Sequence, residues 1–99
     1  MKRTYKIRMN VPLGSREGTL TFTIDKNQKI NGVIKLFEKK TLFSGELTSD
    51  GDISFAGKLI TLTRSFEYEA QGKICGTKIQ LTINGEHESF AVLGEEAEP

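Results

Sequence analysis

One histidine, His87, occurs in the 99 residues, between Glu86 and Glu88 in a polar stretch that follows Asn84-Gly85. A histidine can serve as a general base or a metal ligand, but either role needs a second ligand or a nucleophile within reach. Cys75, the single cysteine, stands between Ile74 and Gly76 with no second thiol or imidazole at ligand spacing. It reads as a small apolar residue at a strand end, and it can close no internal disulfide. Ser44, Ser54, Ser65 and Ser89 have no base at a recognisable spacing for nucleophilic catalysis. Asp50 and Asp52 flank Gly51, yet the calcium-loop positions after them hold Ser54, Ala56, Lys58 and Thr61 instead of a full oxygen set closed by glutamate. No glycine-rich phosphate cradle precedes a helix. The expectation is a chain with no catalytic residue, no metal and no cofactor.

The elements carrying these residues show in the spacing of apolar positions. Tyr5, Ile7, Met9 and Val11 alternate with Lys6, Arg8 and Asn10, and Leu20, Phe22 and Ile24 alternate with threonines. Period-two alternation of this kind is the signature of a strand with one dry face. It continues through Lys29 to Phe37, Thr41 to Thr48, Ile53 to Thr63, Phe66 to Ile74, Lys78 to Ile83 and Glu88 to Leu93. Glu38, Lys39 and Lys40 form a polar turn, while Asp50-Gly51 and Asn84-Gly85 are candidate type I′ hairpin turns. Eight strands joined by short connections favour antiparallel neighbours. Closing such a meander removes both raw edges, so an eight-stranded antiparallel up-and-down barrel is expected over residues 1–94, followed by a disordered acidic tail at 95–99.

Glycine recurs inside these segments, in Asn31-Gly32-Val33, Ser44-Gly45-Glu46, Ala56-Gly57-Lys58 and Gln71-Gly72-Lys73. A strand glycine costs about 0.5–1 kcal/mol relative to alanine, and sharp coiling of a closing sheet is the reason that fits. Val11-Pro12-Leu13-Gly14, Gly18 to Phe22, Phe43-Ser44-Gly45, Asp50 to Gly57 and Tyr68 to Gly72 together resemble small calycin-like barrel domains. Those domains are similar in architecture to lipocalins and avidins and occur alone or appended to larger bacterial enzymes. The resemblance implies an all-β calycin-like barrel and no catalytic residues. The chain lacks the tryptophans of both lipocalin and avidin barrels.

Fourteen basic and thirteen acidic residues leave a net charge of +1, too little for a nucleic-acid module, and no apolar run approaches the ~20 residues of a spanning helix. Residues 1–40 hold ten basic and three acidic groups, whereas 41–99 hold four and ten, so a meander should carry a basic wall opposite an acidic one. With a lone cysteine and no signal peptide at Met1 to Asn10, a cytoplasmic location is expected. Tyr5, Phe22, Phe43, Phe55, Tyr68 and Phe90 face inward and would line any site for a small apolar ligand, although their bulk favours a filled interior. Val33, Phe37, Leu42, Ile60 and Leu62 fall on the opposite parity. Either a bulge at Leu59-Ile60 resets the register or these residues form an interface. The first reading is a non-enzymatic interaction or oligomerisation module, expected to be a homodimer. The alternative is a carrier of a small apolar ligand.

Overall fold

A computed structural model describes residues 2–12, 14–60 and 64–97. The alternation of dry and wet positions organises it into eight strands: β1 (Lys2–Val11), β2 (Gly14–Ile24), β3 (Lys29–Leu36), β4 (Lys39–Leu47), β5 (Asp52–Ile60), β6 (Ser65–Cys75), β7 (Lys78–Asn84) and β8 (Ser89–Glu96). Each pairs antiparallel with the next, and β8 pairs with β1, so the sheet closes into a barrel with no free edge. The described residues contain no helix.

Register fixes the barrel's shape. Paired positions run from Lys2 through Thr23, Asn31, Ser44, Ala56, Glu69 and Asn84 to Ser89. Val92 faces Met9 across the closing seam, so Ser89, three residues earlier, is level with position 12, ten residues beyond the start at Lys2. A stagger of that size around eight strands tilts them by roughly 40° to the axis and leaves an interior that side chains can fill. The side chains do fill it: among the described residues twenty apolar ones are buried, Tyr5, Phe22, Phe43, Phe55 and Tyr68 among them, and no polar or charged residue is buried with them.

Strong tilt requires sharp local coiling, and glycine supplies it. A Cβ at Gly45 would overlap the carbonyl oxygen of Ser54, and one at Gly72 would overlap that of Gln80. Both glycines face inward beside a neighbouring strand whose backbone crosses where a side chain would stand. This is the close approach that the strand glycines imply.

The turns differ in part from expectation. Phe37 and Glu38 both have positive φ, 55° and 61°, and join Leu36 to Lys39 as a two-residue connection. The type I′ geometry therefore falls on Phe37-Glu38, and Lys39 and Lys40 belong to β4. At Asp50-Gly51 the Gly51 amide donates to the Thr48 carbonyl and only Gly51 has positive φ, giving a three-residue loop. Asn84-Gly85 is not a type I′ turn: neither residue has positive φ, and a four-residue loop separates the paired Asn84 and Ser89.

Three further expectations are corrected. Glu95 and Glu96, placed in a disordered tail, are strand residues opposite Lys6 and Tyr5, and the Ala97 amide donates to the Thr4 carbonyl at 2.8 Å. Pairing with β1 holds this acidic segment, which its composition alone did not reveal. Leu59 and Ile60 pair in unbroken register with Phe66 and Ser65, so no bulge resets the parity there. The charged walls are not cleanly opposed either, because closure sets the acidic end of β8 directly beside basic β1.

Candidate functional site

On the outer face of β2 to β5, side chains of the residue parity that the core leaves out stand in rows. One row runs Lys2, Thr23, Asn31, Ser44, Ala56, Glu69. The adjacent row runs Thr4, Thr21, Val33, Leu42. The seven residues from Thr21 and Thr23 across to Leu42 and Ala56 carry no charge, with Lys35 and Lys40 on one side of them and Lys29 and Glu46 on the other. Leu42 is 76% exposed and directly faces half-buried Val33. Beta-branched residues suit a pleated face locally, and hydroxyls tie the patch to itself. Thr21 Oγ1 donates to Thr4 Oγ1 at 3.3 Å, and Thr23 Oγ1 donates to the Asn31 carbonyl at 3.4 Å.

Charge frames this patch. Lys2 and Glu69 end the long row, and below it Lys29 and Glu46 face each other as an ion pair. The structure thus brings together Val33 and Leu42 from the expected interface set. Phe37 does not join them: its left-handed backbone turns the ring against the core. Ile60 is half-buried at the far end of β5, and Leu62 lies outside the described residues. Thr21, Asn31, Ser44 and Ala56 escaped sequence reasoning because small uncharged residues signal nothing until register aligns them. Leu93, 54% exposed, was also missed; its apolar type next to inward Val92 was the available signal.

Inside, the expected ligand-lining residues pack on one another in separate groups. Tyr5 stacks on Phe22 with centroids 6.0 Å apart, whereas Phe43 lies 4.3 Å from Phe55, which meets Tyr68 edge-on. Phe90 is half-buried and pairs with Phe66, over which the Arg64 guanidinium sits at 5.0 Å while also pairing with Glu88. The hydroxyls of Tyr5, Thr41 and Tyr68 are buried with no hydrogen-bond partner. Burial pushes the Tyr68 hydroxyl's pKa far above the ordinary tyrosine value, so it stays protonated.

Elsewhere the chemistry is sparse. A groove of about 1560 Å³ follows the outside of the closing seam past Lys6, Arg8, Glu17, Lys78, Leu93 and Glu95. Its charges are largely spent on each other, with Arg8 on Glu17 at 2.9 Å and Lys78 near Glu95 at 3.7 Å. His87 is a solvated turn residue 3.5 Å from Glu86. Asp52 pairs with Lys73 at 3.4 Å, and among the described residues no three histidine, cysteine, aspartate or glutamate side chains converge as metal ligands. No family model matches the chain, and no curated protein or solved structure matches it.

Proposed function

We propose that the protein is a non-enzymatic, calycin-like barrel that acts in the cytoplasm as a protein-interaction module, docking its partner on the outer face of β2 to β5. The observation that carries this reading is the uncharged double row centred on Val33 and Leu42, with Leu42 76% exposed between the Lys35–Lys40 and Lys29–Glu46 pairs. Water gains little from such a patch, and a partner that covers it removes apolar surface at about 25 cal/mol per Å². The filled interior supports the same reading, because it directs recognition to the outside. A photo-crosslinking residue at position 42, compared with one at Thr82 on the opposite wall, tests it in cells. Adducts at 42 and none at 82 are expected; equal yields at the two positions would overturn the reading.

A second reading, a carrier of a small apolar ligand, draws on the three buried hydroxyls of Tyr5, Thr41 and Tyr68 that lack partners. A ligand with a polar group would satisfy whichever of them it reached. Native mass spectrometry of freshly purified protein decides it: a co-purified small-molecule mass is required, and the bare chain mass alone removes this reading.

A further inference from the structure

The patch has a symmetry of its own. The line between β3 and β4 separates Asn31 from Ser44, Val33 from Leu42 and Lys29 from Glu46. We infer that the partner is a second copy of this chain, seated face to face about a two-fold axis that runs parallel to the strands between β3 and β4.

About such an axis every residue meets the position mirrored across it in the other copy, the isologous arrangement in which i contacts j and j contacts i. Val33 of one copy meets Leu42 of the other, Asn31 meets Ser44, and Lys29 meets Glu46. Each contact occurs twice. Apolar lies on apolar, amide on hydroxyl, and Lys29 on Glu46. A different partner would have no need of a surface complementary to itself, whereas a two-fold dimer requires one. Lys35 and Lys40, paired in β3 and β4 nearer the Phe37-Glu38 turn, would face with like charge, which bounds the contact on that side. About an axis parallel to the strands the two faces lie with their strands aligned, ~10 Å apart.

This inference rests on the interaction-module reading, and sedimentation equilibrium on the full chain separates the two. The wild-type protein is expected to dimerise. Val33→Glu and Leu42→Lys should each weaken the dimer by about tenfold or more, since each buries an unpaired charge, whereas the double variant regains most of the loss because the new charges face each other. Both residues are on the outer face, and circular dichroism confirms that each variant keeps its fold. A wild-type monomer at about 1 mM, a dimer indifferent to Val33→Glu and Leu42→Lys, or a double variant no better than its parents would each overturn the inference. If the chain is monomeric while position 42 still crosslinks to a different protein, the second copy is excluded and the module reading survives. If position 42 crosslinks to nothing, both fall.

Discussion

Single side chains decide where this barrel can bend and what its interior tolerates. Gly45 faces inward against the backbone of Ser54 and Phe55, which cannot withdraw without breaking a ladder of pairs. Gly45→Ala should therefore destabilise the protein by about 1–3 kcal/mol, the usual cost of forcing atoms into a packed interior, read from the urea midpoint. Tyr68 supplies a second test. Its hydroxyl is buried without a partner and its pKa is raised by that burial. The folded chain thus holds this proton more tightly than the unfolded chain does. Stability is unaffected below tyrosine's ordinary value of about 10 and falls as pH rises beyond it. Tyr68→Phe should reduce that alkaline loss and leave stability at neutral pH equal or greater, since it removes an unsatisfied polar atom. Thermal melts of both proteins at pH 8 and pH 11 check the difference. Gly45 could be read from sequence as a curvature position; the orphaned hydroxyls could not, because hydrogen-bond partners are set by packing across the barrel.

At the level of strands and turns, alternation made all eight elements legible, since any strand with one buried face must repeat with period two. The connections were harder. Asn84-Gly85 has the composition of a tight hairpin, yet the register of β7 and β8 places a longer loop there. Phe37-Glu38 has the opposite character: neither residue favours positive φ, but Leu36 and Lys39 are paired and leave only two residues to reverse the chain. Tertiary pairing overrides local preference at both places. The left-handed backbone at Glu38 costs about 1–2 kcal/mol in a residue with a Cβ. Glu38→Gly should recover part of that, raising the melting temperature by a few degrees in a domain of this size. Phe37 is the poorer target, because its ring packs on the core.

For the whole molecule, the decisive contact is the seam between β1 and β8. It has five registered pairs, Tyr5 to Met9 against Glu96 to Val92, and it joins the first strand to the last. A chain ending at Leu93 keeps seven strands and much of the eighth but loses three of those pairs. It should expose two strand edges, melt at lower temperature and aggregate on heating, all visible by light scattering during a thermal ramp. The acidic composition of residues 95–97 concealed this role, since charge and polarity read as a free tail until Lys6, Lys78 and the Thr4 carbonyl are seen to receive them. The outer patch was legible only in part for a similar reason. Val33 and Leu42 announced themselves by parity, while the flanking threonines, serine and alanine gained meaning from the register that lines them up.

Because the first and last strands lie side by side, strand order around the cylinder is a ring with no privileged beginning. Bridging 97 to 2 with a short linker and opening the loop between Gly76 and Thr77 would yield a permuted polypeptide tracing the same cylinder, with the β6–β7 hairpin turned into the long-range closure. Refolding rates of the two forms would then report how strongly the kinetics depend on which of eight near-equivalent joints is left to zip last.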